Sequence, residues 1–185
     1  LVLSESEILA LPFLRMFPLR CLLLLGVLAL GSCAGYQLGG SKPTPLAEVR
    51  TLAVPFFTNK TLFHRAEVLA SNAAVTALVN DGAYSVVSLD KADAVLEGAV
   101  ETVEFSQVST SRTEATRSEE LEMVVRIQWA VRGGGLSPRI LASGSSTGST
   151  RFFVDPNLQM ARTNALSDAL ERATQAMVSR LANGW

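Results

Sequence analysis

Glu120-Leu121-Glu122-Met123-Val124-Val125-Arg126-Ile127-Gln128-Trp129-Ala130-Val131-Arg132 is the stretch that decides the fold. Leu121, Met123, Val125, Ile127, Trp129 and Val131 alternate with Glu120, Glu122, Val124, Arg126, Gln128, Ala130 and Arg132. A period of two over six repeats puts one row of side chains in a core and the other in water, which is a β-strand covered on one face. Gly133-Gly134-Gly135 with Ser137-Pro138 supplies a turn. Ile140 to Val154 then returns as a second long strand with small residues in its middle.

Upstream, Ala94 to Phe105 reads as a strand, with Gly98 a bulge or a point of close packing. Ser106 to Ser118 holds seven Ser or Thr and no Gly or Pro, as suits the exposed end of a long hairpin. Tyr84 to Ser88 is a short strand and Leu89 to Asp93 a turn. Thr51-Leu52-Ala53-Val54-Pro55-Phe56-Phe57 reads as a buried strand. Pro55 lacks an N–H, so the strand lies at an edge or ends near there. Thr58 to Thr61 is a polar turn.

Two helices complete the pattern. From His64 or Arg65 to Asn80, stopping at Asp81-Gly82, the residues Leu62, Ala66, Leu69, Ala70, Ala73 and Ala77 form a stripe at helical spacing. Val68, Val75 and Val79 lie opposite, so this helix is apolar on two faces. Either it runs through the core or a partner protein covers its second side. The last helix is one-sided: Leu166, Ala169, Leu170, Ala173, Met177 and Leu181 form its stripe, while Asp168, Glu171, Gln175 and Ser179 face away. Asp155-Pro156 reads as its start and Asn183-Gly184 as its end. The order β-α-β-β-β-β-α implies an α+β fold. We expect a two-layer sandwich, a mostly antiparallel four- to five-stranded sheet with two helices on one face.

The chain has 185 residues, 48% hydrophobic and only 18% charged, and its mean hydropathy is +0.28. The excess is local. Cys21 to Leu30 is an uncharged apolar run, preceded by Arg15 and Arg20 and followed by Gly31-Ser32-Cys33. That is the layout of a secretory signal, too short to cross a bilayer. Leu30-Gly31-Ser32-Cys33 resembles the bacterial lipobox, in which the Cys thiol is acylated and becomes the new amino terminus. Two or three acyl chains anchor durably where one does not. Ala34 follows the Cys where inner-membrane lipoproteins carry Asp, which implies the outer membrane. The expected organisation is 1–15 as a non-native extension ahead of a start at Met16, and 16–32 as lipoprotein signal peptide. Residues 33–50 then form a lipidated tether and 51–185 the folded domain.

The chemistry that composition excludes is broad. One His and two Cys leave no metal cluster and, with Cys33 lipidated, no disulfide. A net charge of −1 leaves no electrostatic footprint for nucleic acid. His64 has no nucleophile elbow to serve, and the Gly runs match neither a P-loop nor a dinucleotide fingerprint. We expect no catalytic residue, no metal and no cofactor, hence no enzyme. What remains is a set of arginines in the sheet region: Arg112, Arg117, Arg126, Arg132, Arg139 and Arg151. Arg126 and Arg132 share one strand face. They are either solvated beside Glu120 and Glu122 or contacts for an anionic lipid or a partner.

Several stretches carry a resemblance to the LptE family of lipopolysaccharide-assembly lipoproteins. They are Cys33-Ala34-Gly35-Tyr36-Gln37-Leu38-Gly39-Gly40, Val54-Pro55-Phe56-Phe57-Thr58-Asn59-Lys60-Thr61 and Ala92-Asp93-Ala94-Val95-Leu96-Glu97-Gly98. Thr150-Arg151-Phe152-Phe153-Val154 and the terminal helix are similar too. The resemblance implies two helices on a four-stranded sheet and a lipid anchor on the periplasmic face of the outer membrane. It implies a heterodimer with the LptD β-barrel, as plug and assembly factor, in lipopolysaccharide transport. The family binds lipopolysaccharide, which makes Arg112, Arg117, Arg126 and Arg132 candidate contacts, although no motif marks them. The opening strand is also similar to that of CsgG-type lipoproteins, which form oligomeric secretion channels; a structural periplasmic lipoprotein is the third reading.

Overall fold

A computed structural model describes residues 42–108, 120–134, 138–153 and 157–184. Strands β1 (Thr51–Ala53) and β2 (Thr58–Asn59) lead into helix α1 (Ala66–Asp81). Strand β3 (Ser85–Val86) follows, then the long strands β4 (Ala94–Gln107), β5 (Glu120–Gly133) and β6 (Ile140–Phe153), and helix α2 (Leu158–Asn183). The sheet order is β3-β1-β4-β5-β6, with β2 also on β4. β4, β5 and β6 form an antiparallel meander, while β1 and β2 run parallel to β4, and β3 parallel to β1. The sheet is therefore mixed and six-stranded, where the sequence suggested four or five mostly antiparallel strands. The parallel pairs arise because α1 crosses over between β2 and β3, returning the chain in its starting direction.

The expected strand 51–57 stops at Ala53, and 58–59, expected as a turn, is strand. β1 and β2 are two pieces of one line along β4. Leu52 and Ala53 pair with Ala94 and Val95, and Thr58 and Asn59 with Ala99 and Val100. Val54 to Phe57 is one residue longer than the β4 segment it passes, so the line bulges, and Pro55 falls where no ladder donor is needed. The bulge turns Phe57 inward. Its N–H donates to Ser71 Oγ at 2.8 Å, and Ser71 Oγ–H donates to Glu67 O at 2.6 Å. The ring then covers Gly98, where a Cβ would lie 2.4 Å from it. Gly98 is thus the close-packing point; the β4 bulge itself falls between Val100 and Thr102.

Both helices pack on one face. Met123, Val125, Ile127, Trp129 and Val131 are buried, as the alternation requires, with Leu121 half-buried near the strand start. The stripe of α2 is buried throughout. In α1 the buried positions are Ala66, Ala70, Ser71, Ala74, Ala77 and Leu78. Val68 and Val75 are half-buried and Val79 exposed, and Leu62 precedes the helix rather than joining its stripe. α2 begins at Leu158, later than expected, because Asn157 Oδ1 caps it by accepting Met160 N–H at 3.3 Å; Asp155 and Pro156 lie outside the described residues. Gly82 and Gly184 end the helices at φ +76° and +78°, each donating its N–H to the carbonyl four residues back. Of the expected tether, residues 42–50 fold onto the domain, with Leu46 and Val49 in the core.

Two predictions test this packing. At Gly148 on β6, an added Cβ would stand 2.1 Å from Ala169 O and 2.4 Å from Ala173 N. Backbone cannot give way as a side chain does, so Gly148→Ala should cost about 1–3 kcal/mol in urea unfolding. The buried Tyr84 hydroxyl donates to Leu181 O at 2.7 Å. Burial, with Asp81 adding to it, pushes its pKa up from 10.0 to about 12. The unfolded chain loses this proton first, so the contribution is complete below pH 10.0 and is lost as pH rises toward about 12. Unfolding of the wild type and Tyr84→Phe should therefore show a steeper alkaline fall in the wild type over that interval.

Candidate functional site

The loop joining β2 to α1 is held by one side chain. Asn59 Nδ2 donates to Phe63 O at 2.7 Å and to Glu67 Oε2 at 3.0 Å. Its Oδ1 accepts Thr61 N–H at 2.9 Å and Thr61 Oγ1–H at 2.8 Å. Closed in this way, the loop turns Phe63 inward and leaves Leu62 95% exposed. Arg65, which opens α1, has φ +66° and ψ +10°, the one non-glycine residue with positive φ among the described residues. Such a conformation costs an L-residue roughly 1–2 kcal/mol.

Phe63 leads a row of rings across the end of the sheet. Its centroid is 5.8 Å from Phe105, which meets Phe152 edge-on at 6.3 Å. Above them α2 places Arg162, with its guanidinium 5.4 Å from the Phe105 centroid. Arg162 Nε is buried and has no hydrogen-bond partner among the described residues. A cation so placed keeps part of its stabilisation from the ring face, while its enclosed Nε is a donor without compensation. Beside it runs a groove of about 470 Å³ lined by Leu62, Phe63, His64, Arg65, Leu69, Gln159, Arg162, Thr163 and Leu166. Met160, two residues before Arg162 on α2, is exposed as well. An apolar wall with two arginines suits an anionic group carried on a hydrocarbon body. The sequence signal for Arg162 was available: it stands four residues before Leu166, on the line of the buried stripe, where a charge is out of place.

The arginines expected from sequence sit elsewhere. Arg126 and Arg132 do share the uncovered face of the sheet, as the alternation required. Arg132 Nε pairs with Glu97 Oε2 at 2.7 Å. Arg151 lies directly across from Glu122 in the ladder, and Glu104 and Glu120 occupy the same face. An open hollow of about 540 Å³ there is lined by Glu97, Ala99, Gln128, Ala130, Ser143 and Ser145, among others. Its charges are mixed and its side chains small. Cys33, Arg112 and Arg117 lie outside the described residues. Among the described residues no group of three or more His, Cys, Asp and Glu side chains gathers to hold a metal, and no helix is long and apolar enough to cross a membrane.

Against known families, residues 49–181 match LptE, described as lipopolysaccharide assembly. No curated relative matches the sequence. Among solved structures, the PelC dodecamer of Paraburkholderia phytofirmans is similar at 20% identity and a TM-score of 0.44, over 74% of this chain and 93% of that one. The hypothetical protein CT253 of Chlamydia trachomatis is similar at 7% identity and a TM-score of 0.49, over 71% and 95%. A minor lipoprotein of Acinetobacter baumannii is similar at 9% identity and a TM-score of 0.46, over 72% and 90%.

Arg162 predicts an uncommon mutational result. Arg162→Met keeps the apolar stem and a sulfur contact with Phe105 while removing the unpartnered donor. Its unfolding free energy should match the wild type within about 1 kcal/mol or exceed it. By contrast Asn59→Ala, which leaves loop groups without partners, should cost about 1–3 kcal/mol in the same denaturant titration.

Proposed function

Because the chain belongs to the LptE family of lipopolysaccharide assembly, we propose that it is a non-enzymatic lipoprotein of the outer membrane, acylated at Cys33 and facing the periplasm. It complexes with the LptD β-barrel as plug and assembly factor and assists the transport of lipopolysaccharide to the cell surface. The observation that carries the reading is the Arg162 groove. Lipopolysaccharide is a phosphorylated amphiphile, and the groove sets a half-buried guanidinium against an apolar wall of matching character. The uncovered sheet face supports the plug: its small side chains and paired charges suit a polar barrel interior better than lipid.

We place the lipopolysaccharide contact first at Arg162 and Arg65, with Arg112, Arg117, Arg126 and Arg132 as further candidates. Arg132 is the weaker of these, since Glu97 already neutralises it. Purification of the full chain in mild detergent should yield one large β-barrel at equal stoichiometry. A homo-oligomeric ring without the barrel overturns the reading in favour of a secretion channel. Cys33→Ala should move the protein to the soluble fraction. Arg162→Met should weaken lipopolysaccharide binding about tenfold or more while the barrel still co-purifies.

A further inference from the structure

β6 ends the sheet on its side, and its backbone groups alternate between β5 and the open edge. One hydrogen bond at the far side of the sheet fixes which residues face outward. Lys60 N–H donates to Val100 O at 3.0 Å, so Val100 turns its backbone away from β5. Its β5 partner Ile127 therefore turns toward β6, where it pairs with Ser146. Direction alternates along an antiparallel ladder. Ser143, Ser145, Thr147, Ser149 and Arg151 thus direct N–H and C=O to the free edge. Ser145 O agrees, since it accepts Arg180 Nη1 of α2 at 2.7 Å. Pro43 and Leu46 lie around a small hollow at that same end. From Thr147 to Arg151 the outward groups have no strand partner among the described residues.

Long edge strands are normally guarded by Lys, Pro or a bulge. Here every residue from Ser143 to Thr150 is Gly, Ser or Thr. α2 lies over the strand, with Ala169 and Ala173 against Gly148. Exposed Arg172 immediately precedes Ala173, on the turn of α2 that rests against Gly148 within the open stretch. Arg151 stands on the edge beside its ladder neighbour Glu122, and Arg180, further along α2, already donates to Ser145 O; Asp168, one turn before Arg172, is the acid on the helix. A second copy paired about a two-fold axis at Gly148 would set Arg172 against its counterpart, an unfavourable like-charge contact.

We propose that the Thr147–Arg151 edge of β6 accepts an extended acidic segment of another protein as an added strand. Its main chain bonds Thr147, Ser149 and Arg151, and a carboxylate meets Arg172. Main-chain bonds supply the affinity in this mode and side chains the specificity. The proposal does not depend on the barrel-plug reading.

The test uses the full chain in detergent micelles and a synthetic acidic strand-forming peptide of about nine residues with a central glutamate, long enough to span the open edge. Residue-resolved hydrogen exchange should slow about tenfold at Thr147, Ser149 and Arg151 when peptide is added. Ser149→Pro removes an outward N–H and leaves the β5 ladder whole. It should weaken binding about tenfold at unchanged circular dichroism. Should that variant misfold, the same peptide N-methylated at alternate amides must fail to bind the wild type. Arg172→Glu should reverse the preference toward a lysine-centred peptide. The proposal is overturned by any of three results: no slowing at millimolar peptide, equal binding of the proline variant or the methylated peptide, or amides already protected in the free chain. The last would mean that the chain's own residues or a second copy occupy the edge.

Discussion

The fold depends on how closely its upper layer approaches the sheet. At Gly148 the backbone of α2 rests on the backbone of β6, with no room for a methyl group between them. Gly98 under Phe57 and Gly144 under Trp129 repeat the device at ring faces. Three glycines on two strands thus let helix and aromatic groups descend onto the sheet, where dispersion contacts are densest. The alanines of both helices serve the same end. The core is drawn to this one side, and the opposite face carries mostly glutamates, arginines and serines, with Val124 and Ala130 among them.

That asymmetry separates two kinds of arginine. On the uncovered face Arg132 has Glu97 within bonding distance, and water screens both. Such pairs contribute little to stability and offer little to a ligand. Arg162 sits on the covered side, over an aromatic ring and with Nε shut away from water. Its charge is partly desolvated in advance, so an anion reaching it meets a stronger field than one reaching the open face. The left-handed turn at Arg65 fits this picture. Its left-handed backbone carries strain at the groove wall, beside Phe63 and Leu69.

Much of the architecture was legible because it rests on periodicity. The alternation from Glu120 to Arg132 identified the buried and open faces of β5, and the stripe from Leu166 to Leu181 identified the buried face of α2. Legibility failed where tertiary contacts override local pattern. Nothing local says that Phe57 must turn in over Gly98, so the bulge that divides the first strand was hidden, and with it the parallel pairs. Leu62 looked like part of a helical stripe, yet the Asn59 hydrogen bonds stop the chain from being helical there. The candidate arginines are those of the sheet region of the sequence, with Arg126 and Arg132 on the alternating strand and Arg112 and Arg117 in the segment before it. Arg162 was passed over because its setting is built by Phe63, Phe105 and Phe152, three residues far apart in the chain.

The composition of β6 has a consequence for how the molecule assembles. Eight successive residues of Gly, Ser and Thr carry little preference for one register over its neighbours. The strand cannot choose its own alignment. Its position is marked by the Gly148 notch under Ala169 and Ala173, by Gly144 under Trp129 and by Arg180 donating to Ser145 O. The terminal helix thus supplies alignment information that this stretch of β6 does not carry in its own side chains.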